Sequence, residues 1–465
     1  MIRIDKISLS RVPLRTRMPF QYGITILKEL PHLFLEAEVE IEGVACRGIS
    51  ADHLPPKWFT KDALRNPVEE IEEMMEVIRH AADLAQGMED KDIFSLWRNL
   101  YEGQATWGKG KGLPPLLYHF GTSLVERALI DAFCRNQKKP FHHLLYANAF
   151  GIDLGKIHPE LSDSAPSDWL PSAPLSEIFC RHTVGLSDFL FEADIPSGEK
   201  LSDGLPQSLE ACVQRYGVHQ LKIKVTSDAQ ASRERLKKIC AVMEACKITP
   251  AFSLDGNENF SDVEQFREFW ATLHSDSKLK AFLENLLFVE QPFHRAIALD
   301  GEVGRYLLAW TERPPIIIDE SDGEIPSLPQ ALEAGYAGTS HKNCKGVFRG
   351  IANACLLIKK GRDSSGTFLM SGEDLSNIGP VALLQDLAVQ AAIGNKSVER
   401  NGHHYFAGLS SCSAATQQQM LEAHPDLYVN SAQGWPTVRI QNGIIELASV
   451  NAAPFGISPF PQITA

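Results

Sequence analysis

Read for the spacing of apolar and polar positions, the chain divides into three regions. The first 50 residues alternate like strands: IRIDKISLSRVPL, then HLFLEAEVEIEG, with a turn at Gly43. NPVEEIEEMMEVIRHAADLA (66–85) has helical spacing, with acids early and Arg79 and His80 late, as a helix dipole favours. A second helix is predicted over about 120–137, which completes an α+β segment ending near residue 150. A Pro- and Ser-rich stretch, HPELSDSAPSDWLPSAPLSE, reads as a linker over 151–180. From 181 to about 425, strand-like runs alternate with amphipathic ones. The runs are RHTVGLS, HQLKIKV, TPAFSLD, NLLFVEQ, PPIIIDE, GTSHKNC, TFLMSGE and a weaker one at HHYFAGL. Eight strand-helix units over that length predict a (β/α)8 barrel. An open doubly wound sheet fits less well, because no Gly-rich turn follows the first strand.

HQLKIKV poses a chemical question. Side chains alternate across a strand, so Lys222 and Lys224 point one way while Leu221, Ile223 and Val225 point the other. On an edge strand the lysines would face water. Inside a barrel they are costly unless a negative site meets them. Three apolar runs supply one: they end at Asp255, Glu290 and Asp319, each about one strand-helix unit after the last. Such residues converge at the carboxyl-terminal mouth, where barrel active sites lie. Three carboxylates there repel one another unless a cation joins them, and all-oxygen ligation suits Mg2+.

In these pieces the chain resembles the enolase superfamily, in its mandelate racemase and muconate-lactonizing branch. The pieces are K-x-K (Lys222, Lys224), D-x-N (Asp255, Asn257), E-Q-P (Glu290, Gln291, Pro292) and D-E-S (Asp319, Glu320, Ser321). The resemblance implies a modified TIM-like barrel with an N-terminal capping domain over 1–150, to which residues 426–465 return. It implies Mg2+, or Mn2+ in its place, bound by Asp255, Glu290 and Asp319, with Glu320 the fallback third ligand. It also implies a base that removes the proton α to a substrate carboxylate, giving a metal-stabilised enediolate. Cycloisomerase, epimerase, dehydratase and synthase chemistry all share that intermediate. A sugar-acid dehydratase and a non-catalytic carboxylate-binding relative are the alternatives, and a barrel hydrolase using two carboxylates is the reading from another class.

Lys224 is the implied base and Lys222 its neighbour. Ammonium groups two residues apart on a strand stand roughly 6.6 Å apart. At an effective dielectric near 20 they repel by about 2.5 kcal/mol, which lowers the affinity of either for its proton. A second acid or base is expected on the sixth strand, where GTSHKNCKGVFRG offers His341, Lys342 and Lys345. Lys345 fits the expected register best, although the usual Gly pair is reduced to Gly346. The seventh strand carries Glu373 and Asp374 and no His, so a two-lysine site is expected. Tyr22, in MPFQYGITILKEL, is a candidate for selecting substrate. His403 and His404 are weaker candidates from the eighth strand.

Composition narrows the partners. A net charge of −13 argues against nucleic acid and anionic membrane as general partners. Nine cysteines without a C-x-x-C pair suggest neither a disulfide framework nor a zinc site. The N-terminus lacks a signal-peptide core, and no apolar run is long enough to span a membrane. A cytoplasmic homo-oligomer acting on a small carboxylic acid is expected. GQATWGKG (103–110) begins like a phosphate-binding loop, but it places Gly110 where Ser or Thr is needed, so it reads as a flexible loop.

Overall fold

The computed structural model describes residues 1–22 and 25–462, the side chains of Tyr22 and Thr25 excepted. Alternation makes the first sheet. Strands β1 (Ile2–Tyr22), β2 (Thr25–Ile41) and β3 (Val44–His53) run antiparallel, with the two-residue β4 (Glu89–Asp90) on the far edge of β1. The pairing of Ile2 with Ile41 and of Leu14 with Leu30 keeps the apolar positions in register. The segment predicted as a loop around Tyr22 is the far end of this hairpin; the side chain of Tyr22 lies outside the described residues.

Helices α1 (Pro67–Ala85), α2 (Ile93–Gly110) and α3 (Pro115–Gln137) cover the sheet. Asn66 caps α1 by accepting from the Val68 amide, and Pro67 occupies the first turn, where its missing donor costs nothing. The predicted loop at 103–110 is instead the end of α2. Gly108 lies there because a Cβ would come within 2.3 Å of the Tyr118 ring. Gly103 and Gly108 thus serve close helix packing, against Leu84 and Tyr118. Helix α3 is buried through nearly its whole length, between the sheet and the barrel. Glu126 on α3 accepts from the Val347 and Phe348 amides at 3.0 and 2.7 Å, capping the barrel helix that begins there.

The second sheet closes on itself. Its strands are β5 (Glu177–Val184), β6 (Gln220–Lys224), β7 (Ala251–Asp255), β8 (Leu286–Glu290), β9 (Ile316–Ile318), β10 (Gly338–His341), β11 (Leu369–Gly372) and β12 (Ser397–Arg400). Neighbours are parallel throughout, and β12 pairs with β5 to complete an eight-stranded barrel. The eighth strand is therefore SVER. The HHYFAGL run expected there instead begins with a helical turn, Gly402–Tyr405. SVER escapes recognition because its inward position, Glu399, faces a charged interior, so no apolar alternation marks it.

The stretch predicted as a linker is folded down. It forms 3-10 turns at Leu154–Lys156, Pro159–Leu161 and Pro166–Asp168, and the His158 ring bonds the Asn353 amide oxygen at 2.7 Å. Strand Ile444–Glu446 of the C-terminal segment pairs antiparallel with β5. Farther on, the Pro454 and Ile457 carbonyls accept from the Phe141 amide and Arg135. Among the described residues no helix is long and apolar enough to cross a membrane.

Candidate active site

Parallel register sets out the first row of the site. Lys224 pairs with Asp255 across β6 and β7, and Asp255 pairs with Glu290 across β7 and β8. Three chemically active residues thus lie side by side at the carboxyl ends of successive strands. Leu221 and Ile223 are buried on the opposite face, toward the helices. Both lysines point into the barrel, as the alternation requires.

What meets them exceeds the sequence expectation. Lys222 Nζ lies 2.9 Å from Glu290 Oε1, 3.0 Å from Glu373 Oε2, 2.9 Å from Glu399 Oε2 and 3.1 Å from Asp255 Oδ2. Lys224 Nζ donates to Asp255 Oδ2 at 2.6 Å. Burial pulls the Lys222 ammonium down, but Asp255, Glu290, Glu373 and Glu399 outweigh it and hold its pKa well above the usual lysine range. An account based on two repelling lysines omitted Glu373 and Glu399. With those two present, the positive charge of Lys222 is matched within the barrel.

On the far side, the residue that follows β10 is Lys342. Its ammonium lies 2.7 Å from Asp319 Oδ1 and 2.6 Å from Glu373 Oε2, and 5.4 Å from the centre of the Trp58 ring. Lys345 sits on the 3-10 turn after β10. It reaches Asp319 Oδ1 at 2.8 Å and the Ser340 carbonyl and hydroxyl at 3.1 and 2.9 Å. Lys342 lines the central cavity and Lys345 does not. His341 points outward: its ring stands where a Cβ on Gly350 would approach within 2.1 Å.

The acids differ in how well they are compensated. Asp319 and Glu373 are held well below the usual carboxylate range. Burial pushes both up, but Lys342 and Lys345 outweigh it for Asp319, and Lys222, Lys342 and Arg181 do so for Glu373. Glu290 is the exception. Burial and the fields of Asp255 and Glu373 push its carboxyl well up despite Lys222. Its Oε2 lies 2.8 Å from Lys222 Nζ but out of line for a hydrogen bond. Oxygens of Glu290, Asp319 and Glu373 lie within 4.8 Å of one another. A buried, under-compensated carboxylate among hard oxygen donors suits a divalent cation of the Mg2+ class. Asp255 is not one of this trio; its Oδ2 lies 3.1 Å from Lys222 Nζ.

Around this centre, Asn257 takes a left-handed φ of 41° and bonds Asp255 Oδ1 through its amide at 2.8 Å. Gln291 ties two strand ends together, accepting from the Asp319 amide at 2.7 Å and donating to Ser321 at 2.7 Å. Glu320 does not line the cavity; burial, followed by Asp319, Glu258 and Asp255, pushes its carboxyl up to about 8. The cavity itself is about 50 Å3, room for a few waters. Its floor is charged (Lys222, Lys224, Asp255, Asp319, Lys342 and Glu399). Its roof is apolar: Phe20, Leu27, Leu30, Pro55 and Trp58, all from the N-terminal sheet and the loop after it. Phe20, Leu27 and Leu30 belong to the MPFQYGITILKEL segment that the sequence marks out; Pro55, Trp58, Leu375, Ser376, Glu399 and Asn401 are the lining groups that sequence reasoning missed.

His403 and His404 do not reach the mouth. They sit outside the barrel wall, packed on His182.

The chain matches no protein-family model and no curated protein. Solved structures do resemble it over nearly the full length. A mandelate racemase/muconate lactonizing protein from Herpetosiphon aurantiacus aligns at TM-score 0.62 and 15% identity, covering 98% of each chain. A dipeptide epimerase from Enterococcus faecalis, complexed with Mg and the dipeptide L-Leu-L-Tyr, aligns at 0.61 and 15%, covering 98% of this chain and all of that one. A muconate lactonizing enzyme from Pseudomonas fluorescens, complexed with muconolactone, aligns at 0.62 and 13%, covering 98% and 96%. The shared property is the fold, a capped barrel of the mandelate racemase/muconate lactonizing type.

Proposed function

We propose that this chain is a Mg2+-dependent lyase or isomerase of the enolase superfamily that abstracts the proton α to the carboxylate of a small acid. One observation carries the reading. Lys224 at the end of β6 and Lys342 just after β10 both line one cavity, at strand positions four places apart in an eight-stranded barrel, with the carboxylates Asp255 and Asp319 between them. A carbon held in that cavity has an ammonium-bearing chain on either side.

Asp255, Glu290 and Asp319 would hold the metal. Asp255 and Asp319 face the cavity, and Glu290 has a carboxylate oxygen with no aligned hydrogen-bond donor among the described residues. Glu373 is less suited, because Lys222, Lys342, Arg181 and Ser371 already engage it. When bound, Mg2+ would supply a Lewis acid that offsets negative charge developing on the substrate carboxylate. Lys224 takes the α-proton through Nζ as the neutral amine, once Asp255 is drawn away and the ammonium has first lost a proton to solvent, and it becomes the ammonium again in doing so. Lys342 stands on the opposite side, able to return a proton or to steady negative charge, the part that the sequence assigned to Lys345. Lys222 stays charged and holds the acids in place. The roof formed by Phe20, Leu30 and Trp58 supports an acid with an apolar portion, and roof and floor together exclude water from the reacting carbon.

The test is proton exchange in D2O, followed by NMR on a panel of dipeptides, acid sugars and lactone-forming diacids with added Mg2+. Exchange at the α-carbon of at least one class, lost in Lys224→Ala, is the expected result. A protein that binds Mg2+ yet exchanges no α-proton across the panel would overturn the catalytic reading in favour of a carboxylate-binding relative.

A further inference from the structure

Outside the barrel wall lies a second cluster that the proposed reaction does not use. His182 is on β5 between Arg181 and Thr183, which both turn inward to Glu373 and Glu399. It therefore faces out, toward the helix Leu209–Tyr216 that carries Cys212. His404, from the turn after β12, completes the group. One ligand atom from each of His182, Cys212 and His404 lies within 4.8 Å of the others, and all three residues are buried. We infer that His182, Cys212 and His404 form a structural zinc site at the seam where the barrel closes.

Two independent observations point to a ligand. The first is geometric. With Zn–S near 2.3 Å and Zn–N near 2.0–2.1 Å, a tetrahedral centre sets sulfur and nitrogen about 3.5 Å apart. Cys212 Sγ and His404 Nδ1 are 3.5 Å apart. The second is an unmet polar group. His182 is 1% exposed and its Nδ1 has no hydrogen-bond partner among the described residues; neighbouring His403 is 5% exposed and its Nε2 likewise has none among them. Leaving such atoms buried and unpaired costs about 1–3 kcal/mol each, which a coordinated cation would relieve. Two imidazole nitrogens and one thiolate sulfur make a borderline-soft donor set, which selects zinc over the hard cations suited to the carboxylate site. His403, whose ring centre is 5.4 Å from that of His182, is the nearest source of a fourth ligand.

Charge does not forbid the site. Arg17 comes close enough to bond the His404 carbonyl, but Asp203 neutralises it through two contacts of 2.5 and 2.9 Å. Zinc entry displaces the Cys212 thiol proton to solvent, leaving a thiolate on the metal. The centre would join the first strand, the first barrel helix and the closing turn, with Arg17 of the N-terminal sheet resting on the same turn.

The full chain, purified without chelator and loaded with zinc in excess magnesium chloride, is expected to retain about one zinc per chain by elemental analysis. Loaded with Co2+ instead, it should show a thiolate-to-cobalt charge-transfer band. Cys212→Ser and His182→Asn, checked for native circular dichroism, should each lose the retained zinc, and Cys212→Ser the band. The cobalt spectrum of the unsubstituted protein decides the matter even where a variant fails to fold. A wild type that retains no zinc and shows no band would overturn the site, as would folded variants that keep zinc at the wild-type level. In the last case the ion sits among the carboxylates.

Discussion

Lys222 and Lys342 donate to one and the same oxygen. Glu373 Oε2 lies 3.0 Å from the first ammonium and 2.6 Å from the second. Lys222 is on β6 and Lys342 follows β10 on the opposite side of the barrel, so a single carboxylate just after β11 holds its two halves together. Glu373 also takes Arg181 and the Ser371 hydroxyl on its other oxygen, at 3.3 and 2.6 Å.

Glu373→Gln should therefore destabilise more than most core substitutions. Removing one partner from a buried ion pair typically costs about 3–5 kcal/mol, because the remaining charges stay buried and unmatched. Glu399→Gln should cost less, since Lys222 keeps three other acids. Urea unfolding of the two variants measures both. Equal losses, or a Glu373→Gln loss under about 1 kcal/mol, would show that the central bridge does not organise the site.

The two lysines after β10 can be separated by substitution. Lys342→Ala removes a group that lines the cavity and should reduce turnover by about 10²-fold or more, as loss of a general acid or base does. Lys345→Ala removes a support behind Asp319 and should act chiefly through weaker metal binding, so that added Mg2+ restores much of the rate. If Lys345→Ala were the more damaging and Mg2+ did not rescue it, the two roles would be exchanged.

The barrel and the row of charged side chains at its strand ends were legible because strand ends carry their signal locally. Asp255, Glu290 and Asp319 each close an apolar run, and K-x-K needs only alternation to be read. The eighth strand was not legible, because its inward residue meets charge: Glu399 bonds Thr183 and Lys222, both distant in sequence. The choice between Lys342 and Lys345 depended on where β10 ends. His341 is its last residue, which leaves Lys342 to turn into the cavity and Lys345 to ride a 3-10 turn. Cys212 and His404 are 192 residues apart, a separation at which no spacing rule for a metal site operates.

Metal binding gives a direct comparison among the acids. Asp255→Asn, Glu290→Gln and Asp319→Asn should each weaken Mg2+ binding by calorimetry, by more than the 10–100-fold typical of groups that only orient ligands. Glu373→Gln should weaken it less, since its oxygens are already engaged. If Glu373→Gln abolished binding while Asp255→Asn left it intact, the cation would sit in the Glu290, Asp319 and Glu373 trio instead.

Acid should destabilise this protein early. Burial is the first cause lowering ten histidines: His53, His182 and His341 to about 4, His32, His119, His403 and His404 well below the usual range, and His142, His158 and His424 in the same direction. In the unfolded chain each titrates near 6.5. Between about pH 6.5 and 4 the unfolded state therefore binds protons that the folded state refuses, and stability falls as pH falls. Seven buried carboxyls act in the opposite sense: burial raises Asp52 to about 6, Glu126 and Asp374 to about 7 and Glu320 to about 8, and pushes Asp131, Asp188 and Glu290 upward too, so the folded state takes up protons there. The histidines outnumber them, so the net dependence keeps the histidine sign. Urea midpoints at pH 7, 6 and 5 should drop in sequence, and His53→Gln should flatten the slope by about 1.4 kcal/mol per pH unit. A midpoint that held constant or rose toward pH 5 would mean that the buried acids, not the histidines, set the acid response.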